Sequence, residues 1–149
     1  MMNKKIEDGT ILYCDYLHLD SAKCTRELTD EEMKQRRLPG LWKEWNIESK
    51  ERVVLIICEC ENEDFHYYSY VILQLTTKAE TARKNGYFTL GSFLDSNKVS
   101  YARSYPETYP AHFFRPDKKT DKISPLILSH ITNQMSLTNI GMPKKLLDV

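Results

Sequence analysis

An arginine and a threonine stand at the ends of two strand-like segments, and both residue types are suited to binding phosphate. Arg52 precedes the apolar run Val53–Ile57, and Thr76 follows a second run, Tyr67–Leu75. A guanidinium stays charged and donates two parallel hydrogen bonds to phosphate oxygens, and a hydroxyl can donate another. The acidic stretch at 59–64 separates the two runs. This order predicts a β-hairpin that places the cation and the hydroxyl at the same end.

Four further residues near these runs are candidates for contacts with a nucleic acid. Thr77 and Lys78 follow the second run, and Tyr67 and Tyr68 begin it. Exposed tyrosines stack single-stranded bases at about 1–3 kcal/mol each. The same side chains are equally suited to anchoring a protein partner, and strand propensity alone accounts for many tyrosines. We therefore expect a polar and aromatic surface whose occupant the residues themselves leave open.

The side chains that most often supply acid–base or metal chemistry are dispersed along the chain. The histidines are His18, His66, His112 and His130. None has a specific signal without a geometric partner, so we expect His66 and His112 to be half-buried packing residues and His130 to be structural or exposed. Of the four cysteines, only Cys58 and Cys60 are spaced for one face of a strand. We expect buried free thiols and neither a zinc site nor another cofactor.

The bulk composition indicates one globular domain. The chain has 149 residues, 41% of them hydrophobic, and a formal net charge of zero. Zero net charge disfavours long-range attraction to nucleic acid, so any such role must depend on a local site. No segment approaches the ~18 consecutive apolar residues of a membrane span. The first eight residues include no apolar core of a secretory signal, and we expect a cytoplasmic protein.

Local patterns predict the elements that would position these residues. A first strand is expected over Ile11–Leu19. Thr29 and Glu32 form a capping box, which predicts a helix over Asp30–Leu38 inside an insertion at about 25–49. The segment Lys78–Asn85 is either a short helix or a loop. Further strands are expected at Tyr87–Phe93, Lys98–Tyr105 and Tyr109–Phe114, followed by a loop over 115–122 and a helix from Pro125 to about Leu137.

The order of elements predicts a mainly β (α+β) fold in a single domain over residues 1–149. Short strands separated by turns are typical of a small, partly closed antiparallel sheet. The C-terminal helix, with Leu128, Ile131 and Met135 on one side, would pack on one face of that sheet or plug its open end.

Several short motifs resemble the MazF/PemK family of bacterial toxin ribonucleases. The segment Glu7–Asp15 is similar to the family's glycine-led opening strand, and Glu51–Ile57 to its arginine followed by an apolar strand. Val71–Thr76 is similar to its apolar–threonine step, Lys98–Arg103 to its serine–valine strand, and Ile123–Pro125 to the start of its last helix. Val53 stands where the family has proline, and the long insertion replaces a short glycine-rich loop.

The resemblance implies a small antiparallel SH3-like barrel with an inserted helix after the first strand. It also implies an endoribonuclease that cleaves single-stranded RNA by metal-independent transesterification, with Arg52 and Thr76 as the catalytic pair. Family members act as cytoplasmic homodimers in toxin–antitoxin pairs, so the implied partners are single-stranded RNA, a second copy and an antitoxin-like inhibitor.

Two other functions fit the same expected fold. One is a non-enzymatic binding module that uses the insertion to engage a protein partner or nucleic acid. The other is a CcdB-like gyrase binder, which shares the architecture. In both, Arg52 would pair with Glu48 or Glu51 at a strand end and Thr76 would be an ordinary surface residue.

Overall fold

The computed structural model describes residues 5–37, 42–62 and 67–138, and the side chains at 61, 62, 67 and 136–138 lie outside that description. The chain divides into two compact units. Unit 1 comprises Met1–Cys14 with Glu51–Val149, and unit 2 comprises Asp15–Lys50. Unit 2 contains the predicted insertion and begins earlier than expected. In the described ranges, no helix has the length and apolarity needed to cross a membrane.

Strands dominate the described part of the chain. The strands are β1 (Thr10–Glu27), β2 (Lys43–Asn62), β3 (Tyr67–Thr76), β4 (Phe88–Thr89), β5 (Tyr101–Ala102), β6 (Glu107–Pro110) and β7 (Asp121–Lys122). The helices are α1 (Asp30–Arg36), α2 (Ala79–Asn85) and α3 (Pro125–Thr138), and a 3₁₀ turn follows β6 at Ala111–Phe113. The segment after β3 is therefore a helix, α2, which resolves the alternative left open by the sequence.

The strands form one sheet in the order β4-β5-β3-β2-β1-β7, and β6 also pairs with β3. The registered pairs of β3 with β2, β5 and β6 are all antiparallel. The predicted mainly β (α+β) class is confirmed. The predicted closure into a barrel is not observed, because β4 and β7 stand at opposite ends of the order among the described residues.

The predicted central hairpin is the pair β2–β3. Val54 lies opposite Gln74 and Leu55 opposite Leu73, and a bulge at Ile57 shifts the register beyond Ile56. Because side chains alternate across a strand, this register assigns every residue of the hairpin to one of two faces.

One face of the hairpin carries the core of unit 1. Leu55 and Leu73 are fully buried there, and Val53 packs against the same cluster from a partly buried position. Helix α3 contributes Ile131 and Met135, at 1% and 0% exposure. Of the two predicted positions for this helix, on one face of the sheet or in its open end, the structure shows the first.

The other face of the hairpin changes from apolar to polar along its length. Ile56, Val54 and Ile72 are fully buried on it. Two residues further along each strand the same face presents Arg52 and Gln74. The apolar packing therefore ends at this point, and the polar continuation of the face is free to line a cleft.

Two predicted strands are much shorter than expected. The segment 87–93 contributes only β4, and the segment 98–105 contributes only β5. Between them Leu94 and Asp95 have φ angles of 54° and 60°, a left-handed conformation that interrupts strand geometry. The third predicted strand, Tyr109–Phe114, is displaced towards the N-terminus. Strand β6 begins at Glu107, and the chain forms a 3₁₀ turn after Pro110.

Unit 2 contains α1 and the predicted capping box. The Thr29 hydroxyl accepts from the Glu32 amide at 3.2 Å, and the Glu32 carboxylate accepts from the Thr29 amide at 3.1 Å. Helix α1 ends at Arg36, two residues before the predicted end, and Arg37 adopts the left-handed conformation. The cap therefore fixes the start of α1 where the sequence predicts it.

Candidate functional site

Arg52 and Thr76 line one cleft of about 520 Å³. All of its lining residues belong to unit 1. The volume is within the range of roughly 300–1,000 Å³ that is usual for small-molecule sites. The cleft therefore brings together the two residues that the sequence singles out.

Strand register explains why these two side chains meet. Val54 faces Gln74 in the β2–β3 ladder, and the same register continued by two residues places Arg52 opposite Thr76. Facing positions in an antiparallel pair have Cα atoms about 4.5–5.5 Å apart and side chains on the same face. Arg52 and Thr76 are thus held by two paired strands, where positions are better fixed than on loops.

The guanidinium of Arg52 is exposed and has no carboxylate partner among the described residues. Its neighbour Glu51 pairs instead with Lys118, and the hydrogen bond and charge of Glu51 raise the pKa of that lysine. The Lys118 ammonium also lies 5.6 Å from the ring centroid of Tyr13. The alternative in which Arg52 pairs with Glu51 or Glu48 is therefore not observed, and Arg52 keeps its hydrogen-bond donors.

Thr76 is half-buried at the end of β3, and Thr77 and Lys78 extend the same side of the cleft. The Lys78 amide donates to the Thr76 hydroxyl oxygen at 3.2 Å. With that oxygen accepting, the hydroxyl proton of Thr76 remains to be donated into the cleft. The structure thus places three predicted contact residues beside Arg52.

A second residue with a guanidinium, Arg103, lines the cleft and directly follows β5, a strand that pairs with β3. The backbone amide of Arg103 donates to the backbone carbonyl of Gln74 at 2.9 Å. The Arg103 side chain donates to the Tyr105 hydroxyl at 2.9 Å, and its guanidinium carbon lies 5.8 Å from that ring's centroid. With Arg52 and Lys78 it gives the lining three cations. The one carboxylate among the described lining residues, Glu51, is neutralised by Lys118.

Gln74 lies in the lining between these arginines and is 7% exposed. Its side-chain oxygen is buried and has no hydrogen-bond partner among the described residues. Sequence reasoning overlooked both Gln74 and Arg103. The signal for Gln74 was its place inside the apolar run Val71–Leu75, and Arg103 had no signal because its position depends on the pairing of β5 with β3.

A loop between β4 and β5 forms one rim of the cleft through Phe93, Leu94 and Ser96. Leu94 has a φ of 54°, which is uncommon for a bulky side chain. Its amide donates to the Asp121 carboxylate at 3.2 Å, and this bond helps hold the strained turn. Such strain is typical of segments shaped by a site as well as by packing.

Of the two tyrosines predicted to contact nucleic acid, Tyr68 is not in the described lining of the cleft. Tyr68 is 47% exposed and precedes Thr76 by eight residues on β3, which corresponds to ~26 Å at about 3.3 Å per residue. Tyr67 starts the same strand, and its side chain lies outside the described residues. The aromatic residues in the described lining of the cleft are instead Tyr13, Tyr87 and Phe93.

The histidines are also absent from the described lining of the cleft. His112 contacts Phe113, with ring centroids 4.6 Å apart, but it is exposed and not half-buried as expected. His18 belongs to unit 2, and His66 lies outside the described residues. No histidine in the described lining is therefore a candidate for the acid or base of the cleft.

The cysteines are free thiols, and Cys14 and Cys58 are buried as expected. Cys24 is exposed, which contradicts the expectation of burial, because unit 2 has little apolar interior around it. Within residues 5–37, 42–62 and 67–138, no three or more His, Cys, Asp and Glu side chains are grouped to hold a metal ion.

Comparisons with protein-family models, with curated proteins and with solved structures found no match for this chain. The resemblance to the MazF/PemK family therefore stays a prediction from short motifs.

Proposed function

We propose that the cleft binds single-stranded RNA and cleaves it by metal-independent transesterification. The observation that carries this proposal is that Arg52 and Thr76 line one cationic cleft, on neighbouring strands whose register, extended by two residues from the pair Val54–Gln74, sets them opposite each other. The proposal also places the activity in the cytoplasm, where its substrate is found.

In the proposed reaction the ribose 2′-oxygen attacks the adjacent phosphorus and the bond from phosphorus to the 5′-oxygen breaks. The products are a 2′,3′-cyclic phosphate and a 5′-hydroxyl. The proton lost by the 2′-hydroxyl is balanced by the proton gained by the leaving 5′-oxygen, so no water is consumed. The enzyme must orient the phosphate and stabilise the charge that develops on its oxygens.

Each assigned residue has one role in this reaction. Arg52 donates to two phosphate oxygens and stabilises the pentavalent transition state. Thr76 donates its hydroxyl proton to one of the same oxygens. Glu51 is the carboxylate beside Arg52 in the lining, and we assign it as the acceptor of the 2′-hydroxyl proton. Thr77 and Lys78 bind the next phosphate of the strand.

The test is incubation of the purified protein with end-labelled single-stranded RNA in the presence of EDTA. We expect fragments that end in 2′,3′-cyclic phosphate, and no cleavage of DNA of the same sequence, which lacks the attacking hydroxyl. Loss of one preorganised donor lowers such rates by roughly 10²–10³-fold, so Arg52→Ala should do the same. The matched control is Arg83→Ala, an exposed arginine on α2 that is outside the cleft lining.

A second candidate function is non-enzymatic binding of single-stranded nucleic acid in the same cleft. It is favoured by the ion pair between Glu51 and Lys118, because that pair already engages the carboxylate that the enzyme would use as its proton acceptor. This candidate predicts RNA binding that Arg52→Ala weakens, without any product. Binding of RNA without cleavage would therefore contradict the proposed ribonuclease activity and support the binding function.

The resemblance adds a homodimer and an antitoxin-like inhibitor to the proposed enzyme. Gel filtration at micromolar concentration should then give a dimer, and expression in bacteria should arrest growth unless Arg52 is replaced by alanine. A monomer that is harmless to the host and leaves RNA intact would contradict this part of the proposal.

A further inference from the structure

Gln74 is a polar residue in a position that packing alone would fill with an apolar one. The residue opposite it, Val54, and the residue two positions earlier on the same face, Ile72, are both 0% exposed. Gln74 is itself 7% exposed. An apolar side chain there would continue the buried face, so a carboxamide at this position needs another explanation.

The side-chain oxygen of Gln74 lacks the partner that a buried acceptor normally has. It is buried without a hydrogen bond among the described residues. Removing an acceptor from water without replacing its hydrogen bond is unfavourable, and native proteins contain few such groups. Because Gln74 lines the cleft, a ligand that enters the cleft can supply the missing donor after a rotation of the carboxamide.

The neighbours of Gln74 place it beside the proposed phosphate site. Thr76 is two residues further along the same strand face, and the register of the pair Val54–Gln74, extended by two residues, sets Arg52 opposite Thr76. On the other side of β3, the backbone amide of Arg103 donates to the backbone carbonyl of Gln74. A nucleotide whose phosphate is held by Arg52 and Thr76 would thus carry its base within reach of the carboxamide.

We propose that Gln74 is the base-reading residue of the cleft and that it selects adenine and cytosine, whose Watson–Crick edges present an exocyclic amino group beside an unprotonated ring nitrogen, over uracil. This inference rests on the proposed binding of single-stranded RNA. It adds a specificity to that function and is independent of whether the strand is then cut.

The chemistry follows from what the carboxamide and the bases present. A carboxamide accepts through its oxygen and donates through its nitrogen, and it pairs bidentately with the amino group and adjacent ring nitrogen of adenine. Cytosine presents an amino group beside a ring nitrogen in the same way. A recessed acceptor is best reached by a donor that projects from the ring. Uracil has no amino group, and its ring N–H is flanked by two carbonyl oxygens.

The experiment measures affinity for tetranucleotides of adenosine, cytidine and uridine whose 2′-hydroxyls are replaced by fluorine, so that none can be cleaved. Titration calorimetry should show tighter binding of the adenosine and cytidine probes by about tenfold or more, as expected for one bidentate contact. A probe of purine riboside, which is adenosine without its amino group, should bind as weakly as the uridine probe. This comparison leaves the protein unchanged.

Two variants separate base reading from phosphate binding. Gln74→Met, of similar shape, should make the affinities for the probes equal without lowering protein stability, because no side-chain oxygen hydrogen bond is lost. Arg52→Ala should weaken all probes by a similar factor and keep their ranking. Arg83→Ala should change neither.

The outcomes distinguish this inference from the proposed function. If the wild-type protein binds all probes equally, or if Gln74→Met keeps the preference, the assignment of Gln74 is wrong while RNA binding stands. If none of the probes binds, both the assignment and the proposed function are contradicted. A preference that disappears with Gln74→Met and with the purine riboside probe supports the assignment.

Discussion

Unit 1 and unit 2 differ in where their apolar side chains lie. Among the described residues of unit 2, only Leu28 is a buried apolar residue, whereas Leu19 is 71% exposed and Trp45 51% exposed. Unit 1 buries a continuous cluster that includes Leu55 and Leu73 at 0% exposure. Since burial of apolar surface is the dominant favourable term in folding, unit 1 should hold most of the stability of the chain.

Polar contacts take a larger share in unit 2. Arg26 donates two hydrogen bonds to Glu32, at 2.6 and 2.7 Å, and a third to Glu44 at 2.8 Å. The Glu48 amide donates to the Ser21 hydroxyl at 2.8 Å. These groups are exposed, and exposed ion pairs typically stabilise by only about 0–1 kcal/mol each. Unit 2 should therefore open locally more often than unit 1.

The comparison explains the location of the cleft. Its described lining residues come from unit 1, where Arg52 is followed, and Thr76 is preceded, by strand residues that pack in the core. A site that stabilises a transition state needs side chains held to within about 0.5 Å. The strands of unit 1 meet this requirement better than the sparsely packed segments of unit 2.

The largest expected effect is the loss of a core side chain from unit 1. Leu73→Ala should lower the free energy of unfolding by about 2–5 kcal/mol, because it removes buried methyl groups and leaves a cavity. Leu19→Ala makes the same chemical change at an exposed position of unit 2 and should stay within about 0.5 kcal/mol of wild type. Urea denaturation followed by far-UV circular dichroism measures both. Equal losses for the two variants would refute the contrast between the units.

The sequence predicted the parts of the fold that depend on local patterns. The capping box at Thr29, the start of α3 at Pro125 and the hairpin β2–β3 follow from residues that are neighbours along the chain. The short strands β4 and β5 were overestimated, because their aromatic and β-branched residues favour strands while the turn at Leu94 ends them. The β-propensity of a residue is outweighed by its tertiary context in such segments.

The cleft was predictable only in part, for the same reason. Arg52 and Thr76 could be placed together because both belong to one hairpin. Arg103 reaches the cleft through a non-local pairing of β5 with β3, and no local pattern indicates it. Tyr68 was proposed as a contact residue because exposed tyrosines can stack bases, but eight residues of β3 separate it from Thr76.

An intermediate effect is expected from the cap of α1 in unit 2. Thr29→Ala removes the hydroxyl that accepts from the Glu32 amide and should destabilise the helix by about 1 kcal/mol. Both tryptophans of the chain, Trp42 and Trp45, lie in unit 2, so their fluorescence during urea titration reports on this unit. Thr29→Ser keeps the hydroxyl and should restore the wild-type midpoint. A midpoint that is equally low for serine would show that the hydroxyl is not responsible.

The smallest effect is a pH dependence confined to unit 2. The hydrogen bonds from Arg26, with those from Thr29, lower the pKa of Glu32 from its ordinary 4.5 to about 2. Because the carboxylate is stabilised in the folded state, its contribution to the free energy of unfolding is fully present above about pH 4.5 and is lost as the pH falls towards 2.

The urea midpoint of tryptophan fluorescence should therefore decrease over this range, and the decrease should be smaller in Glu32→Gln, which has no proton to gain. Other carboxylates titrate in the same range, so the difference between the two proteins isolates Glu32. Identical slopes would mean that the pair Arg26–Glu32 is fully screened by solvent and that the few buried apolar contacts, such as those of Leu28, hold unit 2 together.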